Sequence, residues 1–203
     1  MTDAPTTGNR IRLVAATLFS ERGFNGTSMA DLAAEVGITK SSLYHHFPSK
    51  QALLAEIIDL TVNRVTPLLR EVAELDLPVA ERLHRAVYLH TVEGIHDRDA
   101  QACFIEEGRY LSSEFMTAHV AKRDRYEFIF RNIIGEGIAS AAFVDQDIDL
   151  TVRAVLGMCN SAVRWYQPGG GLAPEEIASQ FADLAVHGVA MERSAMPGNV
   201  GER

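Results

Sequence analysis

The segment from Thr39 to Lys50 constrains this chain more than any other. Its apolar residues Leu43 and Phe47 stand in an i, i+4 relation, which predicts a short helix held by one narrow apolar face. The rest of the segment suits a free helix poorly. Lys40 lies in the first turn, where the helix dipole disfavours a cation by about 0.3–1 kcal/mol, and serines follow it. A negatively charged partner explains such a helix better than folding alone, and we expect that partner to be DNA.

Two further helices are predicted upstream of this segment. Ser28 and Asp31 have the spacing of a capping box that opens a short helix, and Gly37 supplies a left-handed residue that ends it. Two short helices joined by a glycine-containing turn form the helix-turn-helix pattern. An amphipathic helix that ends at Gly23 precedes them, and its apolar face is formed by Ile11, Val14, Ala15, Leu18 and Phe19. The three helices can share one core.

An ordered set of short motifs covers residues 8–56. Its members are Ala16–Phe19, Arg22–Phe24, Thr27–Ala33, Val36–Ile38, Ser42–Phe47 and Lys50. This set resembles the DNA-binding domain of the tetracycline-repressor (TetR) family. The resemblance implies an all-α homodimeric repressor, in which a three-helix DNA-binding domain is followed by a helical bundle for ligand binding and dimerisation.

The resemblance also implies roles for individual side chains on DNA. Phosphates would be held by Thr27, Tyr44, His45 and Lys50, and base edges in the major groove would be faced by Thr39, Lys40, Ser41 and Ser42. Ser28 is a further candidate, because a capping hydroxyl can also donate to phosphate. Two alternatives stay open: Thr27 or Ser28 only caps a helix, and Tyr44 packs as a partly buried aromatic. His45 and His46 have no third ligand at zinc-like spacing, so no metal site is expected.

The distribution of charge along the chain agrees with a small DNA-binding head. Residues 1–50 carry five Lys/Arg against four Asp/Glu, whereas the remaining 153 residues carry 14 against 23, for an overall charge of −8. The acidic part cannot be the DNA surface. The overall charge also argues against nonspecific coating of DNA, which scales with the number of phosphates that a protein neutralises.

Composition indicates a soluble protein with a real core, since 47% of the residues are hydrophobic. The start of the chain has no secretory signal, and no apolar run approaches the roughly 20 residues of a membrane span, so we expect a cytoplasmic protein without a membrane partner. Cys103 and Cys159 are too few and too distant for a disulfide framework or a redox motif. We expect both to be buried as small apolar residues.

The body of the chain is predicted to be helical throughout. The predicted segments are a disordered tail over residues 1–8, the helix-turn-helix head over 9–50, the body over 51–194 and a disordered tail over 195–203. A long helix starts near Lys50, and Pro67 should kink or break it near residues 63–66 because proline lacks an amide donor. A bend there would either transmit a ligand signal or merely curve the helix around the core. Further helices are predicted over residues 79–95, 100–107, 114–137, 148–166 and 174–193.

The last two predicted helices carry apolar stripes that indicate a dimer interface. The stripes contain Val152, Val155, Leu156, Cys159 and Val163 on one helix and Ile177, Phe181 and Leu184 on the other. Two such helices from each chain would form a four-helix interface, unless both stripes are used inside one protomer. A two-fold dimer predicts an inverted-repeat operator in double-stranded DNA, with half-sites separated by multiples of about 34–36 Å.

The segment Arg164–Gly171 gives the indication of a ligand. It resembles the Arg-Trp-Tyr-x-Pro-Gly-Gly signature of TetR-type repressors that control lipid, fatty-acid and steroid-ring catabolism and respond to acyl-CoA thioesters. CoA phosphates and adenine need guanidinium and aromatic groups, and the acyl part needs an apolar slot. The candidates for the first are Arg164, Trp165 and Arg109, with Arg123 and Arg125 as further ones, and for the second Phe104, Tyr110, Phe128 and Met158.

Three alternatives compete with this effector hypothesis. Met, aromatic and Arg residues at helical spacing are more often plain core or surface ion pairs. A drug-sensing repressor of an efflux pump, with a hydrophobic or cationic effector, would have the same head. An enzyme is not expected, because the neighbouring carboxylates of Glu106 and Glu107 point about 100° apart on a helix and no catalytic or cofactor-binding motif is present.

Overall fold

The computed structural model describes residues 6–190. Within that range the chain is all-α, as predicted, and forms no β-strand. The helices are α1 Thr7–Arg22, α2 Met29–Val36, α3 Lys40–His46, α4 Lys50–Ala73, α5 Val79–His96, α6 Arg98–Ala102, α7 Ser113–Ala139, α8 Ile148–Trp165 and α9 Pro174–Val189. None of the helices in residues 6–190 combines the length and apolarity that crossing a membrane requires.

Helix α1 begins inside the segment that was predicted to be a tail. The Thr6 hydroxyl accepts a hydrogen bond from the Asn9 amide at 3.3 Å, so Thr7 and Gly8 belong to the first helical turn. The predicted tail is therefore wrong at its C-terminal end. Residues 1–5 and the predicted tail over 195–203 lie outside the described residues.

The head is a three-helix unit whose local structure follows its sequence. Ser28 and Asp31 form the predicted capping box, and Gly37 adopts the left-handed conformation with φ 75°. The core of the head extends beyond residue 50, where the sequence predicted the boundary. Buried side chains from both sides of that boundary form one cluster, which includes Phe19, Leu32, Leu43, Leu53, Ile58, Cys103 and Leu111.

Helix α4 joins the head to the body without interruption. It passes through Pro67, so the prediction of a break near residues 63–66 is wrong. Proline leaves the carbonyl of Asn63 without its helical donor, and both residues are exposed, so water can solvate that carbonyl. One solvated carbonyl on the outer face does not end a helix whose inner face is anchored by Val65 and Leu69.

In the body, α5 is central and packs against α4, α7, α8 and α9. A close contact holds the far end of this bundle together. Phe143 is fully buried against Gly137, where a Cβ would lie only 2.0 Å from the phenyl ring. The next amide, of Val144, donates to the Val189 carbonyl at 2.9 Å and so ties the α7–α8 connection to the end of α9.

The segment predicted as one helix over residues 100–107 has a more complex structure. Helix α6 ends at Ala102, a π-helical turn covers Cys103–Glu107, and a 3-10 turn covers Gly108–Tyr110. Single π turns occur often at functional sites. This one lies between the head and the body, and we refer to Cys103–Glu107 as the π turn.

Candidate functional site

Helix α3 presents a polar outer face on a firmly anchored inner face. Leu43 is 0% exposed and Phe47 is 3% exposed, which fixes the helix on the head. Thr39 caps the helix by accepting the Ser42 amide at 3.1 Å. The other predicted base-facing and phosphate-binding residues of the helix lie on its surface: Lys40, Ser41, Tyr44 and His45 are exposed, and Ser42 is half-buried. Tyr44 is 43% exposed and is not among the side chains that pack on the core of the head, so its ring is available on the outer face of the helix.

Thr27 does not have the predicted phosphate-binding geometry. It is 1% exposed, and its hydroxyl lies 3.2 Å from the Leu18 carbonyl and 3.1 Å from the Gly23 carbonyl, to which it donates. Burial in the loop between α1 and α2 makes this side chain structural. Ser28 is exposed, but its hydroxyl donates to the Asp31 carboxylate at 2.6 Å within the capping box. That bond and the Ser28 amide lower the pKa of Asp31.

Lys50 also points inward. Its ammonium donates to the carbonyls of Phe24 at 2.6 Å and Thr27 at 2.7 Å, and it lies 4.2 Å from the centre of the Phe24 ring. Burial lowers the pKa of this ammonium group. Two of its three N–H donors hold the α1–α2 loop, so only one donor is left for a phosphate.

Sequence reasoning missed two arginines that position the head. The Arg10 guanidinium donates to the Val36 carbonyl at 2.5 Å, at the end of α2. Arg12 forms an ion pair with Glu56 of α4. These contacts hold α1 against α2 and α4. They join residues that are distant in the chain, so no local sequence motif predicts them.

A cavity of about 450 Å³ lies in the body, among α5, the π turn, α7 and α8. Its volume is within the range of about 300–1,000 Å³ that is usual for small-molecule sites. The lining includes Phe104 and Arg109, which the sequence predicted, and Arg123, which was a further candidate. The other lining residues are His90, Ile105, Gly108, Met116, His119, Tyr126, Glu127, Val152, Arg153, Leu156, Gly157 and Asn160.

Three guanidinium groups surround the solvent side of this cavity. Arg109, Arg123 and Arg153 are all exposed. Arg123 lies 3.5 Å from the carboxylates of Asp124 and Glu127, whereas Arg109 and Arg153 have no carboxylate within 4.0 Å among residues 6–190. The mouth of the cavity is therefore cationic and is suited to an anionic group.

The deep wall of the cavity contains a neutral hydrogen-bond network. Tyr126 donates its hydroxyl to His90 Nδ1 at 2.5 Å, and His90 Nε2–H donates to Asn160 Oδ1 at 3.1 Å. Burial lowers the pKa of His90 to about 4 and raises the pKa of Tyr126. Sequence reasoning missed this network, although a polar residue at the buried i+3 position after Val87 was a usable signal.

Five of the predicted ligand-binding residues do not line this cavity. Tyr110 stacks on Phe24 of the head, with ring centres 6.0 Å apart, and Phe128 is 57% exposed on the outside of α7. Met158 packs against the body core. Arg164 is exposed and pairs with Glu106 at 2.7 Å, and Trp165 lies edge-on against Phe181 at the end of α8.

The predicted dimer stripes are mostly used inside one protomer, which was the open alternative. The buried members are Val152, Val155, Leu156, Cys159, Val163 and Ile177. Phe181 is half-buried, and Leu184 is 60% exposed. Trp165 and Leu184 lie on the solvent side of α8 and α9, and we call this side the outer face.

The π turn touches both the cavity and the head. Phe104 lines the cavity, while the buried carboxylate of Glu107 accepts the Phe24 amide at 2.8 Å. The Cys103 thiol lies 3.7 Å from the Ala16 carbonyl, and burial raises its pKa to about 12. After the turn, the Gln51 side chain bonds the Tyr110 carbonyl at 2.7 Å. A change in the cavity wall can thus reach the DNA-binding helices through direct contacts.

Comparison with known proteins gives the family. The profile "Bacterial regulatory proteins, tetR family" matches residues 11–57, and "Tetracyclin repressor-like, C-terminal domain" matches residues 76–189. The HTH-type transcriptional repressor KstR2 of Mycolicibacterium smegmatis is 30% identical over 179 residues, which cover 87% of this chain and 87% of that protein.

Two solved structures share the fold. The ketosteroid transcriptional regulator KstR2 of Mycobacterium tuberculosis has a TM-score of 0.87 at 24% identity, with 94% of this chain and 98% of that chain covered. AibR in complex with isovaleryl coenzyme A and operator DNA has a TM-score of 0.79 at 24% identity, with 88% and 97% covered. This chain belongs to the TetR family of DNA-binding transcriptional regulators, which are not enzymes.

Proposed function

We propose that this protein is a homodimeric repressor that binds an inverted-repeat operator and is released from it by an acyl-CoA thioester. The observation that carries the effector is the cavity, with arginines at its mouth and a largely apolar interior. CoA presents phosphates, for which guanidinium groups are well-matched partners. The acyl group is apolar and would lie inside, between Phe104, Met116 and Leu156.

The arginines also favour an anionic effector over a cationic one. A cationic drug would meet Arg109, Arg123 and Arg153 at the entrance, and like charges at close range are unfavourable. The curated relative KstR2 is named a repressor, and AibR was solved with a CoA thioester and DNA together. These relatives support the proposal that this fold can couple the two ligands.

For DNA, we propose contacts from the exposed side chains of α3, namely Lys40, Ser41, Tyr44 and His45, with Thr39 and Ser42 at its start. A second protomer would pack on the outer face of α8 and α9 and bring a second α3 to the adjacent half-site. Because its target is chromosomal DNA, the protein would act in the cytoplasm.

The release mechanism that we propose is a population shift. A ligand lowers operator affinity only as far as it binds the DNA-incompetent conformation more tightly than the competent one. The π turn is placed for such a coupling, because Phe104 contacts the ligand cavity and Glu107 holds the loop before α2.

The test measures thermal stability against acyl-CoA thioesters, the matching free acids, free CoA and cationic drugs. A ligand at 100 times its dissociation constant stabilises by about 2.7 kcal/mol, which raises the melting temperature by roughly 5–11 °C for a chain of this size. We expect shifts with thioesters and smaller shifts with free CoA. Shifts with cationic drugs alone would favour the efflux-pump hypothesis instead.

Arginine variants then test which residues bind the nucleotide. We expect the double variant R109A/R153A to lose thioester affinity by about tenfold or more, since two charge-assisted contacts are removed. Arg164→Ala is the matched control, because Arg164 is exposed, pairs with Glu106 and lies away from the cavity. Loss of affinity in Arg164→Ala with no loss in the double variant would overturn the cationic-mouth assignment.

A further inference from the structure

The first residue of α4, Lys50, is enclosed by the loop that joins α1 to α2. Its ammonium donates to the carbonyls of Phe24 at 2.6 Å and Thr27 at 2.7 Å, and the centre of the Phe24 ring lies 4.2 Å away. A cation over an aromatic face is attracted by the electrons of the ring. Two carbonyls and a ring therefore surround the ammonium, and a DNA phosphate would have to compete with these contacts.

The same loop is held from the body by a buried carboxylate. Glu107, the last residue of the π turn, is 7% exposed and accepts the Phe24 amide at 2.8 Å. Tyr110 adds a stacked contact with the Phe24 ring, with ring centres 6.0 Å apart. The backbone of Phe24 thus has a cation at its carbonyl and an anion at its amide.

These two charges compensate each other across Phe24. Among residues 6–190, neither Lys50 nor Glu107 forms an ion pair, so each charge is stabilised by backbone dipoles and by the opposite charge on the other side of Phe24. Hydrogen bonds to charged groups are stronger than neutral ones, and hydrogen bonds in a chain polarise one another in a low-dielectric interior. Removal of one charge leaves the other with weaker compensation. The two residues therefore act as one unit.

This unit fixes the start of α2. Thr27, whose carbonyl Lys50 binds, directly precedes Ser28, the N-cap of that helix. The Thr27 hydroxyl is bonded to carbonyls of α1 and the loop, so the Lys50 contact ties the same residue to α4 as well. At the other end of α2, Arg10 donates to the Val36 carbonyl at 2.5 Å. Cations of the head thus hold both ends of the helix against which α3 packs.

We infer that Lys50 is a positioning residue and not a phosphate ligand: together with Glu107 it holds Phe24, and so it joins α4 and the π turn to the start of α2. This inference rests on the proposed operator binding and departs from the phosphate role that the family resemblance implies. Operator affinity then depends on Lys50 through the placement of α2 and α3, and not through a charge placed on the DNA.

The salt dependence of operator affinity separates the two roles of Lys50. The probe is the duplex that the wild-type protein selects from a pool of random duplexes. Each phosphate contact by a lysine contributes about 0.9 to the slope of log affinity against log salt, so a dimer that loses one contact per head would lose about 1.8. We expect Lys50→Met to weaken binding with an unchanged slope. Lys40→Met removes an exposed cation from α3 and is the control, which should weaken binding and reduce the slope.

The other outcomes are equally distinct. A slope that falls by about 1.8 in Lys50→Met overturns the inference and restores the phosphate role, while operator binding as such stands. Wild-type affinity in Lys50→Met also overturns it, because Lys50 then fills neither role. If the wild-type protein selects no duplex, the proposed operator binding and this inference fail together.

Hydrogen exchange in the free protein tests the joint action with Glu107. Lys50 does not contact the Phe24 amide, yet Lys50→Met should speed exchange there about tenfold, as the loss of an ordinary hydrogen bond does. The double variant Lys50→Met/Glu107→Gln removes both charges and should be no less stable to urea than Lys50→Met alone. Unchanged exchange at Phe24, or fully additive losses of stability, would overturn the joint action. Lys50→Gln keeps a shorter donor without the charge and gives the same comparisons if Lys50→Met does not fold.

Discussion

At the residue scale, the deep wall of the cavity shows how burial determines the charge of a side chain. His90 is held between Tyr126 and Asn160, and both hydrogen bonds suit the neutral ring. Protonation would turn Nδ1 into a second donor. The Tyr126 hydroxyl would then have to stop donating to Nδ1 and accept from it instead. Desolvation acts in the same direction and brings the pKa of His90 to about 4, from an ordinary 6.5.

This depressed pKa predicts a loss of stability in mild acid. Below about pH 6.5 the unfolded chain binds a proton at His90, whereas the folded chain does not until about pH 4, so stability falls as the pH drops through that window. From about pH 7 to about pH 5 the expected loss is roughly 2 kcal/mol. Urea unfolding at the two pH values measures it.

His90→Gln is the control for this pH effect, because it removes the titrating ring. The variant should lose roughly that part of the pH dependence, whatever its absolute stability, and retain the part that comes from His119 and the carboxylates. An undiminished pH dependence in the variant would show that His90 does not titrate between the folded and unfolded states as described.

Single residues were predictable where the chemistry is local. The cap at Ser28 with Asp31 and the left-handed Gly37 depend on neighbours in the chain, so the sequence shows them directly. Thr27 and Lys50 were assigned to phosphate, but tertiary packing turns both inward. Whether a side chain points into the core or to solvent depends on segments that are distant in the chain. A single sequence does not show which distant segments will pack there.

At the element scale, the π turn connects the cavity in the body with the head. It breaks the regular helix predicted over residues 100–107 and places Phe104 on the cavity wall and Glu107 against the head. Sequence periodicity indicated a helix there. The wider turn was not detectable, because its contacts are with distant residues, as in the bond from the Phe24 amide to Glu107. Helix positions elsewhere were predictable, since each is defined by a continuous apolar pattern.

Removing the Glu107 carboxylate should loosen the head. Glu107→Ala leaves the buried Phe24 amide without its acceptor, which should cost about 1–3 kcal/mol. Hydrogen exchange at the Phe24 amide should speed up, and the effect of ligand on operator affinity should shrink. Glu107→Gln keeps an acceptor oxygen and should preserve the protection. Unchanged exchange at Phe24 in Glu107→Ala would contradict the coupling role of the turn.

At the scale of the whole molecule, assembly depends on surfaces that the stripes did not identify. The stripes on α8 and α9 were predicted to form a dimer interface, but most of their residues face the protomer's own core and Leu184 is exposed. Amphipathic patterns show that a face is covered and do not show by what. The outer face, which holds the exposed Trp165 and Leu184, is the surface on which we propose that a second copy packs.

A charge on the outer face should therefore abolish the dimer. Leu184→Glu would place a carboxylate in an apolar interface, and we expect a monomer by light scattering at micromolar concentration, with operator affinity lost. Phe128→Glu is matched in exposure, at 57% against 60% for Leu184, but lies on α7. It should remain dimeric. A dimeric Leu184→Glu would place the interface elsewhere.

The shared core of head and body has a consequence for how such repressors can diversify. Leu53 and Ile58 of α4, and Cys103 and Leu111 of the body, pack with the recognition unit. In a chimera joined at residue 50, these four residues would face a head from another protein, whose core is not complementary to them. We expect such a chimera to misfold. New operator specificity is therefore more readily acquired by substitutions on the exposed surface of α3 than by exchange of the whole head.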